Sequence, residues 1–122
     1  MTLGTARIGQ IFVTAHDLDR AKRFYRDTLG MRFLFDAPNM AFFDCGGVRL
    51  MLGIPEKPEY DHPASILYYA VDDIEAAHKT LKDRDVKFLT QPQVVHKTND
   101  SELRLAFFND SEGNLLALMS ET

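Results

Sequence analysis

Apolar and polar positions along the first half of the chain predict a strand, one helix and three further strands. Ile8 to Ala15 is apolar and rich in β-branched residues, as expected of a strand. From Asp17 to Leu29 the apolar residues recur at helical spacing, with Asp17 as the expected N-cap and Gly30 as the residue that ends the helix. Three short strands are predicted next, at Met31 to Phe35, Met40 to Asp44 and Val48 to Leu52. The first half is therefore βαβββ.

The same order returns after Gly53 to Pro63, a segment with three prolines that we interpret as a linker on the surface. Apolar periodicity predicts a helix over Asp72 to Asp85, and Gln91 to Ser101 is interpreted as a polar loop. Strands are predicted at Ile66 to Val71, Val86 to Leu89, Leu103 to Phe108 and Asn114 to Met119. The second half is therefore also βαβββ.

Matching residue blocks support an internal duplication. Phe42–Asp44 matches Phe107–Asn109, and Arg32–Leu34 matches Lys87–Leu89, in the same order along both halves. A sheet with one helix covers only one of its faces, so two such modules are expected to cover each other. The predicted fold class is α+β, with two βαβββ modules related by a pseudo-twofold axis and curved antiparallel sheets that enclose a cavity.

Length and composition fit one domain over residues 1–122, with module one at 7–53, a linker at 54–63 and module two at 64–120. A net charge of -4 with scattered basic residues argues against nucleic acid as a partner. The single cysteine, Cys45, excludes an intrachain disulfide and favours the cytoplasm. No apolar run approaches the roughly 20 residues that span a bilayer, so a membrane partner is not expected.

Strand alternation predicts which side chains point into the cavity. Residues such as Val13 and Leu50 are expected to face the helices, and their neighbours the cavity. Phe43 and Phe108 are either aromatic walls of that cavity or ordinary core residues. The predicted ligand-binding residues are Gln10, Phe12, Phe43, Arg49, Met51, Ile66, Tyr68, Phe108 and Ala117.

Two segments carry a family resemblance. IGQIFVTAHDLDRAKRFYRDTLGMRF resembles the opening module of the vicinal-oxygen-chelate (VOC) superfamily, which includes glyoxalases, bleomycin resistance proteins and extradiol dioxygenases. NDSEGNLLALM resembles the closing hairpin of those proteins. In the metal-dependent members, one residue on the first and last strand of each module binds the metal. The resemblance places these four positions at Gln10, Met51, Ile66 and Ala117.

These four residues do not form the usual set of His or Gln, Glu, His and Glu. Only Gln10 has a side chain of the expected kind, and a divalent transition metal needs several imidazole, carboxylate or thiolate donors. We therefore expect no metal and no cofactor, and no metal-dependent glyoxalase or dioxygenase chemistry. Whether the protein catalyses any reaction stays open. The catalytic candidates are His96 and Glu102, because His96 in the Gln91 to Ser101 loop, with Glu102 or Arg104 nearby, could bind a ligand or move a proton.

Three functions are consistent with the sequence. The first is metal-free binding of a small, partly apolar or aromatic molecule, which resemblance to bleomycin resistance proteins implies, together with a homodimer. The alternative is a metal-dependent lyase, epimerase or dioxygenase with relocated ligands such as His62, His96 and Glu102. The third is a module that regulates or scaffolds another protein. Arg49 either anchors an anionic ligand or pairs with Asp44, whereas the net charge would suit a cationic ligand.

Overall fold

The order βαβββ occurs twice in the computed structural model, which describes residues 2–122. The chain divides into two units, one ending at Ala64 and the other beginning at Ser65. Each unit holds one α-helix and one four-stranded sheet. The predicted α+β fold of two βαβββ modules is thereby confirmed, whereas their closure into one domain around a cavity stays a prediction.

Both sheets are mixed, not purely antiparallel as predicted. In the first unit the strand order is β1-β4-β3-β2, and β1 runs parallel to β4. The helical crossover starts β2 in the direction of β1, and the two hairpins that follow reverse the chain twice, so the fourth strand runs in the direction of the first. The elements of this unit are β1 (Gln10–Thr14), α1 (Leu18–Arg23), β2 (Arg32–Ala37), β3 (Met40–Cys45) and β4 (Val48–Gly53).

The first helix begins and ends where the sequence predicts. The carboxylate of Asp17 accepts a hydrogen bond from the N–H of Arg20 at 3.1 Å, and Gly30 has a φ of 74° beyond the helix end. After Arg23 the helix continues as a π-helix over Phe24–Thr28. This segment carries Tyr25, which is fully buried and contacts Phe43 of β3.

The hairpin between β3 and β4 sets which side chains share a face. Gly46 and Gly47 have φ values of 59° and 92°, so both take the left-handed conformation of a two-residue turn. Cys45 is then paired with Val48, and the pairing continues along both strands. Phe43 is thus opposite Leu50, on the helix side of the sheet.

The predicted linker is partly structured. Its first residue, Gly53, belongs to β4, and Pro58–Tyr60 forms a short 3-10 helix. The exposed His16 lies two residues after β1, with its Nε2 2.8 Å from Oδ1 of Asp61. This contact fastens the linker to the rest of the first unit.

The second unit repeats the topology, with strand order β5-β8-β7-β6 and β5 parallel to β8. Asp73 caps its helix by accepting a hydrogen bond from the N–H of Ala76 at 3.0 Å. No helix of residues 2–122 is long and apolar enough to cross a membrane. The elements are β5 (Leu67–Ala70), α2 (Ile74–Asp83), β6 (Gln93–Lys97), β7 (Glu102–Asn109) and β8 (Leu115–Glu121).

One predicted strand of the second unit is wrong. Val86 to Leu89 forms only an isolated bridge to β7, and β6 occupies the segment predicted to be a polar loop. Every residue of β6 is exposed, so this outer strand is held by backbone pairing and not by an apolar face. The register of β2 shifts at Leu34 and that of β6 at Val95. The two shifts lie at different places in the duplication, opposite Phe43 and Phe42 in one unit and opposite Arg104 and Leu103 in the other. Phe88 is bridged to Phe108 as Phe33 is paired with Phe43, so the predicted match of Arg32–Leu34 with Lys87–Leu89 agrees with the structure.

Candidate functional site

The side of the first sheet that faces away from α1 carries a polar row beside an apolar row. Val13, Leu50 and Phe43 are buried on the helix side, so alternation turns their neighbours to the other side. Register pairs Gln10 with Arg49 in the polar row, and Met51 with Phe42 in the apolar row. We call this side the distal face; its members used below are Gln10, Phe12, Phe35, Phe42, Arg49 and Met51.

Arg49 is fixed in place by two contacts. Its Nε donates a hydrogen bond of 2.8 Å to Oε1 of Gln10, and its guanidinium carbon lies 5.1 Å from the ring centre of Phe42. Asp44 is opposite Arg49 in the register, yet the two form no ion pair. Of the two alternatives that the sequence left open for Arg49, pairing with Asp44 is therefore wrong.

Gln10 does not fit the role of a metal ligand. Its amide oxygen, the only atom of the side chain that would bind a divalent cation, already accepts the hydrogen bond from Arg49. Its Nε2 lies 3.7 Å from the thioether sulfur of Met51, the second of the four family positions. A cation at this point would meet a guanidinium and a thioether instead of carboxylates.

The apolar row consists of two stacked rings beside a methionine. The ring centres of Phe35 and Phe42 lie 4.5 Å apart with the planes inclined by 23°. Neither ring was predicted from the sequence, which favoured Phe43; that residue is fully buried against Tyr25 and Phe33. The prediction that Phe43 forms a ligand wall is wrong. Gly46 and Gly47, taken as a two-residue turn, would have given the correct phase of β3.

Phe12 lies over the backbone of Gly53. A Cβ built on Gly53 would come within 2.7 Å of Cε1 of Phe12, which is closer than side chains approach. Glycine at this position therefore lets the ring pack flat against β4.

Replacing Gly53 by alanine is expected to displace the ring of Phe12. The cost is about 1 kcal/mol of unfolding free energy, because the clash involves the far end of a side chain that can rotate. Urea denaturation gives the free energy, and the ring-proton chemical shifts of Phe12 report the displacement. Gly9→Ala is the matched control, since nothing lies within 4 Å of its added Cβ. Equal effects of the two substitutions would show that Gly53 does not position Phe12.

The second sheet has an aromatic pair at the corresponding place. Tyr68 and Phe107 are both in register with Ala117, and their ring centres lie 6.1 Å apart. Ala117 is fully buried, so the methyl group at this family position is covered. Ile66 precedes β5 and is exposed. Neither residue offers a metal-binding atom.

The prediction that Phe108 lines a ligand cavity is wrong. Phe108 is fully buried, is opposite Leu116 and packs against Phe88 at a ring-centre distance of 5.1 Å. Its neighbour Phe107, which the sequence analysis did not select, turns to the other side of the sheet. The error has the same form as for Phe43, because each strand contains two adjacent phenylalanines and only one faces the helix.

The two catalytic candidates are not brought together. His96 is opposite Leu103 in the register, whereas Glu102 is opposite Lys97, so their side chains leave opposite sides of the sheet. Hydrogen bonds from Lys97 and Arg104 hold the pKa of Glu102 below its ordinary value. An ionised carboxylate paired with two cations is a poor proton acceptor at neutral pH.

The remaining candidates have local explanations. Desolvation by burial, with the nearby charge of Asp44, raises the pKa of Cys45, so its thiol stays protonated at neutral pH. The Nδ1 of His62 lies 3.0 Å from the carbonyl oxygen of the adjacent Pro63. Between residues 2 and 122, no three His, Cys, Asp or Glu side chains lie close enough together to hold a metal ion.

A family model matches most of the chain. The model describes the Glyoxalase/Bleomycin resistance protein/Dioxygenase superfamily and matches residues 7–118. The protein YurT of Bacillus subtilis (strain 168) is 30% identical over 132 aligned positions, which cover 93% of this chain and 97% of YurT.

Solved structures of the same superfamily share the fold. A member from Sphaerobacter thermophilus DSM 20745 superposes with a TM-score of 0.77 and 26% identity, covering 94% of this chain and 97% of that one. A lactoylglutathione lyase from Agrobacterium tumefaciens superposes with a TM-score of 0.73 and 20% identity, covering 96% and 95%. Because the lyase is only 20% identical, its similarity to this chain shows the shared fold and nothing about function.

Proposed function

We propose that this chain, which belongs to the glyoxalase/bleomycin resistance protein/dioxygenase superfamily, binds a small, partly apolar or aromatic molecule on its distal face without a metal ion. The observation that carries the proposal is the pair of stacked rings, Phe35 and Phe42, directly beside a guanidinium held by Gln10. Apolar walls with a few fixed polar groups are the usual composition of a small-molecule site.

The chemistry of the four family positions supports binding without metal. Gln10 is committed to Arg49, and the other three positions hold a thioether, a branched alkyl group and a covered methyl group. Carboxylate and imidazole donors, which a catalytic metal centre of this family would need, are absent from these positions. A metal-dependent lyase, epimerase or dioxygenase is therefore the less favoured function. A homodimer, and a cavity between the two modules, stay predictions.

Binding of a neutral aromatic probe tests the proposal. Addition of 2-naphthamide is expected to shift the backbone amide resonances of β1, β3 and β4 in ¹H–¹⁵N spectra, because naphthalene rings would stack beside Phe35. Phe35→Ala is expected to weaken this binding severalfold, whereas Leu3→Ala, an exposed residue near the N-terminus, is expected to leave it unchanged. Shifts that are absent, or that are confined to other strands, would refute the proposed site.

Metal analysis gives a separate prediction. Protein purified without chelator is expected to contain no stoichiometric metal by mass spectrometry, and titration with Ni, Zn, Fe and Mn is expected to release no binding heat. The reason is that Gln10 is the only one of the four positions with a side chain of the kind that these metals use in the family, and its amide oxygen already accepts a hydrogen bond from Arg49. Protein treated with chelator serves as the control. One tightly held metal ion per chain would overturn the metal-free proposal and make His62, His96 and Glu102 the first residues to substitute.

A further inference from the structure

We infer that the ligand of the distal face carries a carboxylate, which the guanidinium of Arg49 binds at the end of an aromatic group. The inference rests on the proposed function and specifies its ligand class. It starts from the charges of the polar row, which crosses the sheet through Gln10, Arg49, Asp44 and Arg32 in register. With two arginines and one aspartate, this row has a net positive charge.

Arg49 has no counterion within the described part of the chain. Its contacts are the amide oxygen of Gln10 and the ring of Phe42, and neither carries a charge. By contrast, Lys22 pairs with Asp36 at 2.8 Å elsewhere in the same unit. A guanidinium placed against an aromatic ring, without a carboxylate, retains its full capacity to bind an anion.

The contact with Gln10 also orients the guanidinium. Because Nε donates to Gln10, the two terminal nitrogens remain as a fork of N–H donors with no hydrogen-bond partner in residues 2–122. Such a fork matches the two oxygens of a carboxylate in a planar, bidentate pair. The ring of Phe42 limits the tilt of this fork, so the site is organised before a ligand arrives.

The dimensions of the face suggest the rest of the ligand. Adjacent strands are about 4.8 Å apart, so the apolar row from Met51 through Phe42 to Phe35 is about 10 Å wide. Arg49 lies two residues from Met51, about 7 Å along the strand. One or two fused aromatic rings that bear a carboxylate would reach from Phe35 or Phe42 to Arg49.

The overall charge of the chain does not oppose this assignment. The net charge of -4 was expected to suit a cationic ligand, but charges farther away than about 8 Å are largely screened at physiological ionic strength. The groups in the polar row itself therefore decide the sign of the preferred ligand. An anionic ligand thus replaces the cationic one that the net charge favoured.

Two probes of the same shape separate charge from ring stacking. Dissociation constants of 2-naphthoate and of 2-naphthamide are measured by naphthalene fluorescence, which is free of tryptophan background because the chain has no tryptophan. Wild-type protein is expected to bind the carboxylate at least about tenfold more tightly than the amide. Arg49→Gln is expected to abolish this preference, because it weakens the binding of the carboxylate far more than that of the amide. Lys79→Gln removes the same charge from the exposed side of α2 and is expected to keep the preference.

The outcomes distinguish this inference from the proposed function. Equal affinity of the wild-type protein for both probes would overturn the carboxylate while the apolar site stands. A preference that persists in Arg49→Gln would also overturn it, because the anion would then bind elsewhere. If neither probe binds, the proposed function fails and the inference fails with it. Should Arg49→Gln not fold, Arg49→Lys replaces it, because lysine keeps the charge and lacks the two-pronged guanidinium. A reduced preference for the carboxylate over the amide in this variant supports the inference, and an unchanged preference contradicts it.

Discussion

Replacing Phe43 by alanine is expected to lower the unfolding free energy by about 3–5 kcal/mol, the largest effect of any substitution considered for this chain. The ring is fully buried and packs against Tyr25 of the helical segment and Phe33 of β2. Its removal leaves a cavity between helix and sheet that the surrounding backbone closes only in part. Domains of this size have a total stability of about 5–15 kcal/mol, so the variant is expected to be marginally folded.

Urea denaturation followed by circular dichroism measures this loss, and the tyrosine emission of the chain adds a second probe of unfolding. Phe35→Ala is the matched control, since it removes the same ring from a position that is 45% exposed. It is expected to cost no more than about 1.5 kcal/mol while weakening the aromatic probe. If the two substitutions cost the same stability, Phe43 is not part of the core and its assignment to the helix side is wrong.

Replacing Asp110 by alanine is expected to cost about 2–4 kcal/mol. Its buried carboxylate organises the turn between β7 and β8. Oδ1 accepts hydrogen bonds from the backbone N–H groups of Glu112 and Asn114, both at 2.8 Å, and Oδ2 accepts one from the side chain of Asn114 at 2.9 Å. Alanine would leave two backbone donors without an acceptor in a part-buried turn, which is more costly than the loss of an exposed contact.

Asp110→Asn separates the loss of these acceptors from other effects. Its single amide oxygen still accepts from the backbone, so it is expected to recover part of the stability that Asp110→Ala loses. Hydrogen exchange of the amides of Glu112 and Asn114 reports the same contacts directly. Equal stability of the alanine and asparagine variants would show that the acceptor role of Asp110 is not what holds the turn.

The helices were predictable because their signals are local. Asp17 and Asp73 each lie three residues before the N–H that they cap, and Gly30 ends the first helix by its own conformational freedom. Such interactions involve only neighbouring residues, so one sequence is enough to infer them. The βαβββ order and the family resemblance followed from these elements and from the strands with an apolar face.

The strand β6 was not predictable from apolar alternation. Its five residues are all exposed, and it exists because β7 supplies backbone hydrogen-bond partners. The apolar segment from Val86 to Leu89 resembled a strand more closely, yet only Phe88 forms a bridge. An outer strand is defined by its neighbour, which is information that local composition does not contain.

The candidate site was predictable in part for a related reason. Alternation correctly grouped Gln10 with Arg49 and Met51, because the phase of β1 and β4 follows from their buried leucine and valine residues. It could not give the hydrogen bond between Gln10 and Arg49, which depends on parallel pairing of strands 39 residues apart in the chain. Alternation also did not show which side chains of β3 face the helix, because Phe42 and Phe43 are adjacent and both apolar. Phe43 was therefore predicted to be a ligand wall in place of Phe42.

The alternation within β3 and β4 has a consequence for how such a protein can change over generations. Phe43 and Leu50 maintain the folded state, whereas Arg49, the immediate neighbour of Leu50, is exposed on the other side of the sheet. On the proposed function, a substitution of Leu50 would therefore alter foldability, whereas one of the adjacent Arg49 would alter ligand specificity with little effect on the fold. Selection can remodel the chemistry of one side while the scaffold persists, which is how a single architecture can host unrelated activities.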